Sequence, residues 1–467
     1  MNREKPVRIA VVGHTNTGKT SLLRTLTHDP AFGEVADQAG TTRDVRGVVL
    51  NDTQGQPVLE LYDTPGLEDA VGLRAFVSEQ VTGQPDPVAE IEAFVAGDHG
   101  GGRYAQEAKV LRQLLRSDAA IYVIDVREPM LPKHREELRL LAACGRPVMP
   151  LLNFASSAEA NTASWKEQLS RVALHVVAAF DTVVMDHRAE RLVFEKLGTL
   201  LEGRRANFRR LVAAREKQRS ELVVATCRVI AELLVNVAAV RVQYEDNQPV
   251  EPAARRLRDI VCLAEQQCVD ALLALFRFDL ATYDPPELPL EHGKWKFDPF
   301  DPETSRSFGI RIGSNAARGA AAGLVVDMVT GMVSLGAGAA IGAGLGAAWD
   351  VGRNVVRPWL RRQRGYRDLA LEEGTLAVLV ARQMMLLRAL MRRGHATQGP
   401  LKTGSAAGWP SAEIRKAILR CRSHPEWSAL NEAASDPLPN EATGPLMAGL
   451  QHAIGSEFSS VPESFGN

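Results

Sequence analysis

The chain has 467 residues, of which 45% are hydrophobic and 24% charged, and its formal net charge is −1. This length predicts two or three domains, and the composition is ordinary for a folded soluble protein. The near-zero net charge excludes a global field that would draw the protein to nucleic acid or anionic lipid. Five scattered cysteines predict reduced thiols rather than a disulfide framework or a zinc site. No apolar region of signal length precedes the first predicted strand, so we expect a cytoplasmic protein.

A phosphate-binding pattern lies close to the N-terminus. The letters GHTNTGKT at residues 13–20 fit G-x-x-x-x-G-K-[ST], between an apolar run at 7–12 that predicts a buried strand and a helical stretch at 19–27. In this pattern backbone N–H groups surround the α- and β-phosphates, the lysine reaches the β- and γ-phosphates, and the last hydroxyl ligates Mg²⁺. The predicted nucleotide contacts are Gly13, His14, Thr15, Asn16, Thr17, Gly18, Lys19, Thr20 and Ser21.

A second motif follows a predicted hairpin of two strands at 45–50 and 58–62. The second strand ends in DTPG, residues 63–66. The Asp63 carboxylate can hold a water of the Mg²⁺ shell, and the Gly66 N–H can touch a γ-phosphate. The alternative is a plain Pro-Gly turn. The DTPG motif lies about forty residues after a phosphate loop, and this position favours the nucleotide interpretation.

Between these motifs lies GTTRD, residues 40–44. A threonine here, Thr42, can add its hydroxyl to Mg²⁺ when a γ-phosphate is present. The loop would then be ordered by the triphosphate and released on hydrolysis. The alternative is a polar loop that merely precedes a strand.

The order GHTNTGKT, GTTRD, DTPG resembles the small-GTPase superfamily that includes the TrmE, Era and EngA proteins, over about residues 5–205. The resemblance implies an α/β G domain that binds GTP and GDP and hydrolyses GTP with Mg²⁺ as a molecular switch. It assigns catalytic roles to Lys19, Thr42 and Gly66, and the Mg²⁺ site to Thr20, Thr42 and Asp63.

Two features set the mechanism apart from Ras-like enzymes. The position where a water-positioning glutamine commonly follows the DxxG glycine is Leu67, which has no polar side-chain atom. In the TrmE-like branch, an asparagine at the position of Asn16 helps to bind K⁺ against the phosphates. Such a cation would neutralise developing charge, although Asn16 can instead hydrogen-bond within the loop. Relatives in that branch often pair two G domains, so a nucleotide-driven homodimer is a secondary hypothesis.

The base-recognition motif is degenerate. In this superfamily the strand predicted at 147–152 ends in N-K-x-D, whose aspartate accepts hydrogen bonds from guanine, whereas here the residues are Asn153, Phe154, Ala155 and Ser156. Asn153 fits the pattern, but the lysine and the aspartate are missing. Three alternatives stay open: Asp181 replaces the acceptor, the protein binds ATP, or it binds both nucleotides.

Strands alternate with helices in the rest of the first domain, assigned to residues 1–205. This alternation predicts a mostly parallel sheet with helices on both faces and nucleotide at the strands' carboxyl ends. Residues 67–117 exceed what the fold needs and predict an insertion. The other predicted elements are strands at 119–126 and 176–184 and helices at 132–144 and 188–201.

The second domain, assigned to residues 206–467, is predicted to be all-α. It resembles domains of unknown function that follow Era-like G domains in some bacterial proteins, and that resemblance supplies no activity. No nucleic-acid motif is evident in it. Periodic apolar residues predict helices at 205–242, 252–282, 355–392, 411–422 with Ser411 as N-cap, and 440–454.

A Gly/Ala-rich segment at 319–349 has Asp327 as its only charge, with small residues at four-residue spacing that let helices approach closely. One interpretation is a buried helical hairpin that turns near residues 330–331. The other is a hairpin that enters a membrane, since 328–349 is long enough to span a bilayer. The second interpretation makes the inner membrane a partner and the protein a membrane-associated scaffold or remodelling module with slow nucleotide turnover.

Overall fold

The computed structural model describes residues 5–27, 45–80, 86–97, 102–182, 187–276, 290–301, 304, 324–326, 366–391, 411–431 and 438–459. The chain divides into two compact units. The first comprises Met1–Arg219 with Arg392–His395, and the second comprises Ser220–Met391 with Ala396–Asn467. The division, after Arg219, falls inside a long helix, Arg205–Ala239. The sequence places the domain boundary at the beginning of this helix.

The first unit alternates strands and helices, as predicted. Its elements are β1 (Val7–Val12), α1 (Lys19–Thr27), β2 (Arg46–Asn51), β3 (Pro57–Asp63), α2 (Ala70–Gln80), α3 (Pro87–Ala96), α4 (Ala105–Leu115), β4 (Ala119–Asp125), α5 (Pro132–Ala142), β5 (Val148–Asn153), α6 (Thr162–Ser170), β6 (Ala178–Ala179), α7 (His187–Leu200) and the first part of α8 (Arg205–Ala239). The strand predicted at 176–184 is therefore only two residues long, and α6 was not predicted.

The strands form a six-stranded sheet in the order β2-β3-β1-β4-β5-β6. Only β2 runs antiparallel to its neighbour, β3, and the other pairs are parallel. Strands β1, β4 and β5 are apolar and almost fully buried, as expected for parallel strands covered on both faces. The carboxyl ends of β1, β3, β4 and β5 share one edge. This topology confirms the predicted α/β class and brings the motifs after these strands together.

Three helices connect β3 to β4, although a crossover between parallel strands needs only one. The sequence predicts an insertion over this stretch, residues 67–117. Its helices bury apolar side chains in the core on one face of the sheet: Leu73 from α2, Ile91 and Phe94 from α3, and Leu111 from α4 are each at most 2% exposed. The stretch is thus packed into the first unit along most of its length.

The second unit is mainly helical, as predicted. Its elements are the remainder of α8, β7 (Val242–Glu245), α9 (Glu251–Leu275), β8 (Leu290–Glu291), β9 (Lys294–Trp295), β10 (Leu324–Val326), β11 (Tyr366–Leu371), α10 (Glu373–Met391), α11 (Ala412–Arg422) and α12 (Asn440–Ser459). Ser411 caps α11 by accepting a hydrogen bond from the Ile414 N–H at 3.1 Å, as predicted. All five cysteines are free thiols, which agrees with the sequence expectation.

A three-stranded antiparallel sheet, β10-β11-β7, corrects two helix predictions in this unit. The helix predicted at 355–392 is wrong over β11, and the helical hairpin predicted at 319–349 is wrong over β10. The physical reason is non-local pairing, since β11 bonds to β7, more than a hundred residues earlier. The remainder of 319–349 lies outside the described residues, as does 392–410.

A buried polar cluster links the helices of the second unit. Arg382 is 2% exposed, its Nε lies 3.1 Å from Glu265 Oε1, and its guanidinium carbon lies 4.5 Å from the Trp295 ring centre. Gln383 Nε2 donates to the same Glu265 oxygen at 3.1 Å. Burial raises the pKa of Glu265 to about 7, and Arg382 opposes that shift. Loss of Arg382 or of Glu265 would leave the other as an uncompensated buried charge. The cluster therefore fixes how α9 and α10 pack.

Two helical stretches of the described chain have the length and hydropathy of a membrane span: Glu202–Ala239 and Glu373–Met391. Within the fold, 56% and 78% of their most apolar windows are buried. Core helices of folded domains have the same character, so these two stretches are weak evidence for a membrane.

If α3 is an integral part of the core, replacing its most buried side chain should destabilise the first unit. We expect Phe94→Ala to lower the free energy of unfolding by about 3–5 kcal/mol, because it removes a fully buried ring and leaves a cavity. The exposed neighbour Glu92 provides the control, and Glu92→Ala should change stability by less than about 0.5 kcal/mol. Urea denaturation of both variants measures this, and equal effects would show that α3 does not pack as described.

Candidate nucleotide site

The loop after β1 has the backbone geometry of a phosphate cradle. Gly13 and Gly18 have φ values of +148° and +92°, and a Cβ at these positions would lie 2.6 Å from Val123 O and 2.4 Å from Asn153 Nδ2. Both positions therefore need glycine. Asn16 also has a positive φ, +63°, a conformation that asparagine tolerates better than most residues. These three residues turn the chain so that it closes around the N-terminus of α1.

Lys19 spans the inside of this loop. Its Nζ donates to His14 O at 2.7 Å and to Gly13 O at 3.2 Å, and the side chain is buried. Burial lowers the pKa of Lys19 to about 8, while the Asp63 and Glu137 carboxylates oppose the shift. An ammonium held in this way can exchange its carbonyl acceptors for phosphate oxygens.

Thr20 and Asp63, the predicted Mg²⁺ ligands, lie together. Thr20 Oγ1 donates to Asp63 Oδ2 at 2.7 Å, and the buried Asp63 Oδ1 has no hydrogen-bond partner among the described residues. Burial raises the pKa of Asp63, and the hydrogen bond from Thr20 opposes the shift. One carboxylate and one hydroxyl, completed by water and phosphate oxygens, suit Mg²⁺. Thr42, the third predicted ligand, belongs to residues 28–44, which lie outside the described chain.

The turn after β3 is in direct contact with the phosphate loop. A Cβ on Gly66 would lie 2.2 Å from Thr15 Oγ1 and 2.9 Å from Thr15 Cα, so only glycine fits there. The Leu67 N–H donates to Gly13 O at 3.2 Å, and Leu67 O accepts from His14 Nδ1 at 2.7 Å. The residue directly after DTPG is thereby hydrogen-bonded, through both its backbone groups, to the loop that would hold the phosphates.

The remaining loop residues take different positions. Thr17 Oγ1 bonds back to His14 O at 3.0 Å, and Ser21, in the first turn of α1, accepts from Thr25 Oγ1 at 3.0 Å through its carbonyl. Asn16 is exposed at the rim of a cavity of about 220 Å³ beside the loop. Within the described residues its amide has no hydrogen-bond partner.

A buried polar network behind the loop was missed by the sequence analysis. Glu137, on α5, is 1% exposed and accepts from Tyr122 OH at 2.6 Å and from His14 Nδ1 at 3.0 Å. Because Leu67 O can only accept, His14 Nδ1 must carry the proton. Burial raises the pKa of Tyr122, and Glu137 raises it further. The available signal was a glutamate on the apolar face of α5.

Asn153 connects the loop to the ends of β5 and β6. Its Nδ2 donates to Thr17 O at 2.9 Å, and its Oδ1 accepts from the N–H groups of Phe154 and Thr182, both at 2.9 Å. The side chain is completely buried. Asn153 therefore holds the phosphate loop in place relative to the segments after β5 and β6.

The residues that follow Asn153 contact charged side chains of neighbouring loops. Phe154 has a φ of +59°, and the Arg127 guanidinium carbon lies 3.9 Å from its ring centre. Arg127 in turn makes a bidentate pair with Asp125, at 2.6 and 2.9 Å. Ser156 donates a hydrogen bond to Asp181, the acceptor that the sequence analysis suggested.

Comparison with known proteins identifies both halves of the chain. A family model described as a 50S ribosome-binding GTPase matches residues 8–154, and one described as a domain of unknown function, DUF3482, matches residues 166–444. The resemblance to small GTPases, and that of the helical half to a domain of unknown function, are thereby confirmed.

The chain is similar to the tRNA modification GTPase MnmE of Parvibaculum lavamentivorans, at 52% identity over 66 residues, or 14% of each protein. It is 29% identical over 158 residues to GTPase Der of Herpetosiphon aurantiacus, which covers 33% of this chain and 28% of Der. Aquifex aeolicus Era bound to GDP.AlF4- matches with a TM-score of 0.28 and 19% identity, over 38% of this chain and 52% of Era. The chain thus spans less than a third of each curated relative.

The lowered pKa of Lys19 predicts that nucleotide affinity falls as the pH rises above about 8. Neutral Lys19 cannot attract phosphate, and bound phosphate raises the pKa of Lys19. Binding therefore takes up a proton in this range, and the association constant falls by up to about tenfold per pH unit. Titration of a fluorescent guanine nucleotide between pH 7 and 9.5 measures the slope.

Lys19→Arg is the control, because arginine stays charged at these pH values and the nucleotide's own titration is common to both proteins. The wild-type slope should exceed that of Lys19→Arg. Equal slopes would show that Lys19 does not titrate in this range.

Proposed function

The chain belongs to the DUF3482 family, and we propose that it is a GTP-controlled switch, in which the first unit binds and hydrolyses GTP and the state of the nucleotide is passed to the helical unit. The single observation that carries this proposal is the contact between the DTPG turn and the phosphate loop. Both backbone groups of Leu67 bond to the loop, next to the pair formed by Thr20 and Asp63. A change at the terminal phosphate would thus act directly on the turn.

The roles of the residues follow from their positions. The loop amides and Lys19 bind the phosphates and orient the γ-phosphate, and Thr20 and Asp63 hold Mg²⁺, which neutralises phosphate charge when bound. The Gly66 N–H is the contact proposed to report the γ-phosphate. The Leu67 side chain is apolar and completely buried, so it cannot orient the attacking water. That role must fall to another group.

We further propose that K⁺ stimulates hydrolysis through Asn16. The exposed amide without a partner among the described residues supports a cation ligand. A monovalent cation against the phosphates would supply the charge that an arginine finger supplies elsewhere. The MnmE and Der relatives are named GTPases, and a paired arrangement of two G domains that completes this site is part of the same proposal.

Two alternative functions require separate tests. An ATPase is suggested by Phe154 and Ser156, which depart from N-K-x-D. A membrane-associated scaffold is suggested by residues 319–349, of which only 324–326 are described. Flotation of the full-length protein with anionic liposomes, with and without nucleotide, decides between a cytoplasmic and a membrane location.

Hydrolysis of GTP and ATP in KCl and in NaCl tests the proposal most efficiently. We expect GTP to be the better substrate and its turnover to be at least about tenfold faster in KCl, since charge neutralisation at this position is worth up to several orders of magnitude. Asn16→Ala should lower the rate in KCl to that in NaCl while leaving the NaCl rate within about twofold, and Lys19→Ala should abolish nucleotide binding.

Each result has one interpretation. Equal rates in both salts would remove the K⁺ role but leave the switch. Faster ATP turnover would favour the ATPase. Unchanged nucleotide binding by Lys19→Ala in titration calorimetry would remove the proposed site altogether.

A further inference from the structure

The base-recognition region poses a chemical problem. Guanine presents two neighbouring donors on its Watson–Crick edge, N1–H and the 2-amino group, and a carboxylate with two oxygens is the side chain that accepts from both. The position that would carry this carboxylate is Ser156, whose single hydroxyl cannot accept in the same bidentate way. A protein that prefers GTP must take its acceptor from elsewhere.

The structure brings a carboxylate to that position from the segment after β6. Ser156 Oγ donates to Asp181 Oδ2, across 25 residues of sequence. A carboxylate has about four lone-pair sites, so one carboxylate can accept from a serine and from a ligand at the same time. The Asp181 carboxylate therefore lies at the hydroxyl that replaces the usual aspartate.

The backbone on both sides of Asp181 is firmly anchored. Before it, the Phe180 N–H donates to Leu152 O at 3.0 Å. After it, the buried Thr182 donates its N–H to Asn153 Oδ1 at 2.9 Å and accepts from Thr25 Oγ1, on α1, at 2.8 Å.

The same asparagine holds the phosphate loop, since Asn153 Nδ2 donates to Thr17 O at 2.9 Å. One buried amide therefore sets the position of the Asp181 segment relative to the phosphates. A carboxylate placed by such fixed neighbours is suited to a selective contact, because little freedom is lost when the ligand binds.

The loop that contains Ser156 also carries an aromatic side chain. Phe154, two residues before Ser156, is held with a φ of +59°, and Arg127 covers its ring at 3.9 Å. A non-glycine residue in this conformation is strained, and such strain persists where the surroundings impose it. Aromatic side chains stack on purine bases of any identity, so Phe154 would supply affinity, and the neighbouring carboxylate would supply selectivity.

We infer that Asp181 is the guanine-specificity residue of this protein, positioned by the hydrogen bond from Ser156, with Phe154 as the stacking surface for the base. This inference rests on the proposed binding of GTP and deepens it by naming the group that selects the base. It explains how a chain without the lysine and aspartate of N-K-x-D can still prefer guanine.

The test exchanges the acceptor for an amide and follows the base preference. In Asp181→Asn one carboxylate oxygen becomes an NH₂ donor, which matches xanthine, because xanthine has a carbonyl where guanine has the 2-amino group. We expect GDP affinity to fall by roughly 5- to 150-fold, the equivalent of about 1–3 kcal/mol for one bidentate base contact. Affinity for XDP should rise, and that for ADP should not change. Titration calorimetry with GDP, XDP and ADP measures all three.

Matched variants distinguish a change in base recognition from a general loss of nucleotide binding. Asp259→Asn makes the same chemical change on the exposed face of α9 and should leave every affinity as in the wild type. Adding Ser156→Asp to Asp181→Asn returns a carboxylate to the neighbouring position and should restore GDP over XDP. Ser156→Ala alone should lower the GDP-over-ADP preference, and Ser156→Thr, which keeps the hydroxyl, should retain it.

The outcomes distinguish the inference from the function on which it rests. If wild-type protein binds no guanine nucleotide, the proposed function fails. If wild-type protein prefers GDP and Asp181→Asn keeps that preference over both XDP and ADP, the proposed function stands and Asp181 is not the specificity residue. A gain of XDP binding together with a loss of GDP binding supports the inference, because a merely destabilised site would lose all nucleotides.

Discussion

In the candidate site, the turn after β3 is in close backbone contact with the phosphate loop after β1. Gly66 lies so near Thr15 that any side chain would overlap it, and Leu67 is hydrogen-bonded to the loop through both its N–H and its carbonyl. Because β1 and β3 are parallel neighbours, their carboxyl ends are fixed side by side. The loop that would hold phosphate and the turn that would sense it are therefore directly coupled. This is the physical basis of a switch.

Polar side chains behind the contact stiffen it. His14 donates to Leu67 and to the buried Glu137, which also accepts from Tyr122. Buried polar groups are costly unless every one is satisfied, and a satisfied network specifies one arrangement. On the other side, Asn153 ties the loop to β5 and to the segment after β6. Buried hydrogen bonds therefore hold the phosphate end of the site, and in the proposed function residues at its rim select the base.

Local motifs made much of the first unit predictable. Gly13, Gly18 and Lys19 act through backbone conformation and charge within eight residues, so their spacing alone indicates a phosphate loop. The contacts that form only in the folded chain could not be predicted from local motifs. The sequence does not distinguish Glu137 from other helical glutamates, because its contacts form only when α5 packs behind the loop. The pairing of Ser156 with Asp181 likewise requires β5 and β6 to be adjacent. In the second unit, β11 is formed by pairing with β7, which no local pattern reveals.

Hydrogen–deuterium exchange of the full-length protein measures the coupling between loop and turn directly. With Mg²⁺ and GTP, the amides of residues 13–20 and of the turn at 63–67 should both exchange more slowly, whereas GDP should protect the loop and leave the turn less protected. Lys19→Ala should show neither effect. Protection of the loop by GTP and GDP with no difference at the turn would contradict a switch that acts through this contact, and no protection of either segment would contradict nucleotide binding at this loop.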